Sequence, residues 1–193
     1  MNSSGLSFLM DGTKMDLSDS QRQENYQEYI LLSKNPLYTD VKFDYESGGV
    51  SAIHCDHKFD PAIGPFGVKI GEYEKIVVDN LRKRGHRITL ESELAPNGVK
   101  TPDGWLDGMV MDIKSTDGHG KWAIKDKFHS ALKQGVECVV LYFHSRTLYS
   151  HERILDGWEK FQKDSSSKNY QMKIKKVVCV VEDEVIENNF LAP

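Results

Sequence analysis

The dipeptide Asp107-Gly108 joins two segments, 101–106 and 109–114, in which apolar and polar residues alternate. Asp-Gly between alternating segments favours a two-residue type I′ turn, whose backbone twist matches that of the flanking strands. Such a turn leaves no freedom in register. Leu106 then faces Met109, Trp105 faces Val110, Gly104 faces Met111, Asp103 faces Asp112 and Thr101 faces Lys114. Side chains alternate across a strand, so Thr101, Asp103, Trp105, Val110, Asp112 and Lys114 share one face of the hairpin. Leu106, Met109, Met111 and Ile113 share the other. The second face reads as core, and the first as a place for chemistry.

Two carboxylates directly opposite each other lie about 5 Å apart, and like charges in that position destabilise a sheet unless something neutralises them. Lys114 is one candidate. A divalent cation is the other, because hard oxygen ligands suit Mg²⁺, and a metal between carboxylates can activate water and stabilise a phosphate transition state. The lysine would then orient the nucleophile or balance developing charge. On an ordinary solvated strand, an Asp-x-Lys would be no more than a weak ion pair. The second aspartate in register is what sets this pair apart.

The remaining elements frame that hairpin. Ser18 or Ser20 can cap a helix running to about residue 33, stopped by Asn35-Pro36. Residues 41–45 and 50–53 alternate around a Gly-Gly turn and suggest a short hairpin. Tyr73, Ile76, Val77 and Leu81 repeat at helical spacing before Gly85; Ile124, Phe128, Ala131 and Leu132 do so before Gly135; and Ile154, Leu155, Trp158 and Phe161 form a third set, broken by three serines at 165–167. Strands are expected at 86–90, 136–143 and 174–181. The expected fold is α+β, with a central, mostly antiparallel sheet in the order α-β-β-β-α-β-α-β, preceded by an N-terminal helix and a short hairpin. Residues 1–37 form the arm and helix, and 38–193 the main domain.

With 193 residues, 39% of them hydrophobic, a chain of this size buries roughly 70% of its unfolded surface and needs no disulfide staples. Cys55, Cys138 and Cys179 are too scattered for a disulfide framework, which fits a reducing compartment. A net charge of −4 excludes binding to nucleic acid through bulk positive charge, but leaves room for a local basic groove. Two basic runs stand out, LRKRGHR at 81–87 and KNYQMKIKK at 168–176. No apolar run spans a bilayer, and the first ten residues lack a signal-peptide pattern. The expected location is the cytoplasm of a bacterial host or a phage particle, without a membrane partner. Walker loops, serine-hydrolase elbows and dinucleotide fingerprints are absent from the sequence.

Pro102-Asp103 followed by Asp112-Ile113-Lys114 resembles the signature of PD-(D/E)XK nucleases, and the element order is similar to that nuclease core. The resemblance implies a Mg²⁺-dependent DNA endonuclease, with Asp103, Asp112 and Glu74, on the preceding helix, holding the metal. A second resemblance covers about residues 38–181. The runs GHR at 85–87, GVKTPDGWLDG at 98–108, DIKS at 112–115 and ALKQGVECVV at 131–140 are similar to the tRNA-cleaving C-terminal toxin domain of CdiA proteins. They are also similar to related domains on head proteins of Bacteroidetes phages. That class belongs to the Barnase-EndoU-colicin-RelE-like ribonucleases, which need no metal because the RNA 2′-OH attacks its own phosphate.

On this second resemblance the chain is an endonuclease for RNA, above all tRNA, with no cofactor. Lys114 becomes a phosphate ligand, and His86, His119 and Asp103 or Asp112 carry protons. Ser115 and Thr116 donate to phosphate oxygens, Thr101 and Arg87 line the substrate path, and Trp105 stacks on a base. A cognate immunity protein, a phage head or a larger parent polypeptide are the implied partners. A catalytically silent interaction module is the remaining alternative. His54, Cys55 and His57 form a compact donor group, but no second Cys/His pair follows at zinc-site spacing.

Overall fold

In the computed structural model, which describes residues 16–94, 101–167 and 173–189, helix α1 (Asp19–Lys34) opens with a capping box. The Gln21 N–H donates to the Ser18 hydroxyl, and the Gln21 side chain accepts from the Ser18 N–H. Of the expected N-terminal arm, only residues 16 and 17 lie among those described, and Leu17 is buried. Strands β1 (Tyr38–Phe43) and β2 (Val50–His54) form the first hairpin. Its first strand starts and ends earlier than the alternation suggests. The reason is Asp44, whose carboxylate accepts the N–H groups of Glu46 and Ser47 and so closes the turn there.

Then follow α2 (Ile70–Lys83), β3 (Arg87–Leu90), β4 (Gly104–Leu106), β5 (Met109–Ser115), α3 (Ala123–Gln134), β6 (Cys138–Phe143), a 3-10 turn, α4 (His151–Ser167), β7 (Lys176–Val181) and β8 (Glu184–Asn189). Gly135, at φ 73, closes α3 in the left-handed conformation that its position just past the helix demands. The serines at 165–167 do not break α4, which runs through them.

The eight strands lie in sequence order across one sheet. The α+β class holds, but the sheet is mixed rather than mostly antiparallel: β2–β3, β5–β6 and β6–β7 run parallel. Each of these pairs is joined through a helix, α2, α3 or α4, and helical crossovers return the chain in the same direction. The final strand β8, drawn from the acidic stretch after Val181, is an addition to the expected order.

Both faces of the sheet are core. Met111, Ile113, Val140 and Val178 pack with Tyr73, Val77 and Leu81 of α2, while Val139, Leu141, Val177 and Cys179 pack with Phe128 of α3 and Trp158 of α4. Helix α1 covers β1 and β2 and is pinned by Asn25, whose side chain donates to the Gly48 carbonyl at 2.8 Å. Among the described residues no helix is long and apolar enough to cross a membrane.

The sheet curls around α2, so that the lead into β3 meets β8. His86 Nδ1 lies 2.7 Å from Asp107 Oδ2, and its Nε2 lies 3.0 Å from Glu187 Oε1. Lys176 Nζ adds a contact of 2.7 Å to Glu187.

Candidate active site

The β4–β5 turn has φ 51 at Asp107 and φ 82 at Gly108, the two positive values that a type I′ turn requires. The register follows: Leu106 pairs with Met109, Trp105 with Val110, and Gly104 with Met111. Strand β4 begins only at Gly104, shorter than expected, and Asp103 lies just before it. Its carbonyl accepts the Glu91 N–H at 2.9 Å, and its carboxylate accepts the Ile113 N–H at 2.6 Å. A side chain rather than the main chain therefore extends the ladder toward β5, and it brings the Asp103 carboxyl to Asp112.

Gly104 permits this approach, because a Cβ built there would stand 1.8 Å from the Thr89 carbonyl oxygen. Gly104→Ala should therefore destabilise the fold by about 3 kcal/mol or more, read as a shift in urea midpoint.

Asp112 is fully buried on β5. Lys114, two residues on and on the same face, places Nζ 2.6 Å from both Asp112 carboxylate oxygens. The hydrogen bond is directed at Oδ1, while Oδ2 is held by the same ammonium as an ion pair, and the Asp103 carboxyl lies within hydrogen-bonding reach of Asp112. Burial, and then the neighbouring Asp103 carboxylate, push Asp112 up to about 7 against the pull of Lys114. Burial also raises Asp103, and the charge of Glu74 adds to it. Both carboxyls are therefore held above the ordinary carboxylate range. This is the physics of acids too close to ionise together.

Glu74, on α2, is held from behind. Its Oε2 lies 3.0 Å from Nε2 of His57, a buried residue whose Nδ1 lies 2.9 Å from the Glu91 carbonyl oxygen. Burial alone would lower His57, but Glu74 and the Glu91 carbonyl raise it. From the sequence alone His57 stands out only as a possible zinc ligand. It turns inward to Glu74, 17 residues away, a partnership no motif spacing announces. Among the described residues His54, Cys55 and Asp56 bring ligand atoms within 4.8 Å of one another. There the His54 Nδ1 already accepts the Asp56 N–H at 3.1 Å, so the group closes its own turn.

The other expected site residues divide sharply. Trp105 sits on the Asp112 face with 45% of its surface exposed. His86 is not at the site at all: it is buried at the far end of the hairpin between two carboxylates. Thr116 is also buried, and its hydroxyl donates to the Tyr142 carbonyl instead of facing a phosphate. Ser115 turns to Asp117 at 3.3 Å. Thr101 does not pair with Lys114, because β4 has not yet begun there; its carbonyl accepts from the Gln134 side chain. Arg87 faces Glu28 of α1 at 3.8 Å.

His119 is exposed on the loop after β5, a loop braced by the Arg153 side chain, which donates to the Gly118 carbonyl. The basic run at 168–176 falls partly outside the described residues, and of its described lysines Lys176 belongs to the His86 cluster. Compared with protein families, curated proteins and solved structures, the chain matches none.

Proposed function

We propose that this chain is a metal-dependent nuclease that hydrolyses phosphodiester bonds at Asp103, Asp112 and Lys114, as its resemblance to PD-(D/E)XK enzymes implies. The observation that carries the reading is the Asp112 carboxyl: buried on β5, beside a second carboxyl, with the Lys114 ammonium 2.6 Å from its oxygens. A buried arrangement of this kind is costly for stability, and carboxyls so strongly perturbed cluster at functional sites. Asp103 and Asp112 would hold Mg²⁺, which supplies an activated water and neutralises charge on the phosphate. Glu74, oriented by His57, adds negative charge on the α2 side.

The chain's own residues then have distinct tasks. Asp103 and Asp112, as carboxylates, would be the oxygen ligands for the cation. Lys114, which otherwise neutralises Asp112, is the cation nearest the reacting phosphate and stabilises charge as it develops there. Asp103 is kept in position by the Ile113 N–H. The metal-free ribonuclease reading asks instead for histidines that exchange protons at the phosphate. Burial of His86 between Asp107 and Glu187 removes one of the two it would use, and this favours the metal-dependent reading.

The test is incubation of the purified chain, and of Lys114→Ala, with plasmid DNA and with total tRNA, each in Mg²⁺ and in EDTA. The expected result is cleavage in Mg²⁺ that EDTA stops and Lys114→Ala lacks. Cleavage of tRNA that persists in EDTA and vanishes in His119→Ala would overturn it in favour of the ribonuclease. No cleavage of either polymer would overturn the nuclease reading altogether.

A further inference from the structure

On the Asp112 face of the sheet, helix α1 does not reach β4, and the gap between them is a pocket of about 320 Å³. Its floor is the exposed indole of Trp105 beside Thr89. One wall is the pair Glu28 and Arg87. The opposite wall is Glu91, both of whose carboxylate oxygens accept from the Tyr38 hydroxyl, at 2.8 and 3.0 Å. The pocket is joined to the site through the backbone. Glu91 donates its N–H to the Asp103 carbonyl, and Trp105 follows Asp103 by two residues along one face, about 6.6 Å.

We propose that this pocket is a base-binding subsite, which takes one unstacked nucleobase of the substrate while the adjoining phosphate lies at Asp103 and Lys114. This rests on the nuclease reading and narrows its substrate to single strands, or to duplexes with a nucleotide turned out. A bare aromatic face next to a backbone-cleaving site is the usual platform for a base, and stacking on it is indifferent to sequence. The charge of the walls argues for a base rather than a phosphate, because Glu28 and Glu91 together outnumber Arg87. Glu91 is an acceptor without a donor of its own. It therefore selects bases that carry an exocyclic amine: cytosine through N4, adenine through N6 or guanine through N2, over uracil. Tyr38 helps to fix the Glu91 carboxylate for that contact; burial, then Glu91 itself, raise the Tyr38 phenol to about 12, so it stays a donor at any working pH.

The test is binding, not turnover. The Asp112→Asn protein, which should not cleave, is titrated with cytidine 5′-monophosphate, uridine 5′-monophosphate and ribose 5-phosphate while tryptophan fluorescence and heat are recorded. The expected result is saturable quenching by the cytidine nucleotide at millimolar or lower concentration, about tenfold weaker binding of the uridine nucleotide, and none of ribose 5-phosphate. Adding Trp105→Ala should abolish the heat of binding. Adding Glu91→Gln should keep binding but erase the preference between the two bases.

The subsite is overturned by absence of saturation in the millimolar range, by binding that Trp105→Ala leaves unchanged, or by equal binding of ribose 5-phosphate. Trp105 is surface-exposed, so its alanine variant folds, as near-UV circular dichroism would verify. Failure of the parent chain to cleave any polymer would sink the nuclease reading without changing these titrations. Robust cleavage with no nucleotide binding would sink the subsite alone.

Discussion

Asp112→Asn should be at least about 10³-fold slower than the native chain in Mg²⁺-dependent cleavage, and yet melt at a higher temperature in EDTA at pH 8. The two effects have one source. Asp112 titrates at about 7 in the folded chain, raised by burial and by Asp103 from an ordinary carboxylate value of 3.8. A carboxyl with a raised folded pKa binds its proton more tightly in the folded state, so above about pH 7 the ionised pair opposes folding. That penalty fades as the pH falls toward 4, where the unfolded chain is protonated too.

The shift corresponds to roughly 4 kcal/mol at most. Lys114 loses its closest partner in the variant, which returns part of the gain, and an increase of about 1–2 kcal/mol is expected. For a chain of this length that is a rise of a few degrees in Tm. Thermal melts at pH 8 and pH 5 check it: the advantage of the asparagine variant should be present at the first and nearly gone at the second. Adding Mg²⁺ at pH 8 should raise the native chain's melting temperature and leave the variant's unchanged, since only a cation that binds the folded state stabilises it. A variant less stable than the parent at pH 8 would mean that Asp112 is a structural partner of Lys114 and not a strained ligand.

How much of this was legible in the sequence depends on how local the determinant is. Asp107-Gly108 dictates a turn geometry by itself, and the register of Leu106, Trp105 and Gly104 against Met109, Val110 and Met111 followed from it without any tertiary information. The capping box at Ser18 and the left-handed Gly135 are equally local. What stayed hidden depends on residues far apart in the chain. Alternation along β5 separates two faces, but it does not say that the Asp112 face, read as a place for chemistry, continues over β6 and β7 as core buried by α3 and α4. The role of His57 depends on Glu74 and Glu91, which reach it from α2 and from the end of β3. Strand β8 carries Glu184 and Glu187 and so lacks the apolar signature of a strand; its second glutamate is tolerated because His86 and Lys176 await it across the curled sheet. His86 entered as a proton carrier only through the ribonuclease resemblance, and only the closure of the sheet shows that it faces inward.

That closure gives the second large effect: His86→Leu should destabilise the chain by about 3–5 kcal/mol at pH 5.5, and by progressively less at alkaline pH. The imidazole is buried with a carboxylate on either side, and removing it leaves Asp107 and Glu187 with Lys176 as their remaining buried cation. Burial alone would lower His86, but Asp107 and Glu187 outweigh it and raise the histidine. In return they are themselves lowered against burial, Glu187 to about 2.

A histidine raised in the folded state contributes fully below its unfolded value near 6.5, and that contribution is lost as the pH climbs through the folded value. The lowered acids contribute fully above about 4.5 and lose their share as the pH falls toward 2. The cluster is therefore at its strongest between about pH 4.5 and 6.5. Urea unfolding of the parent and His86→Leu at pH 5.5 and at pH 9 measures the difference directly. A gap of under about 1 kcal/mol at pH 5.5, or one that widens at pH 9, would show that the leucine packs as well as the ion pairs it replaces. The consequence should reach the site as well. The Asp107 carboxylate accepts from both the Arg87 N–H and His86, and Asp107 is the first residue of the turn that sets Asp103 against Asp112. Loosening it should slow cleavage even at temperatures where the variant remains folded.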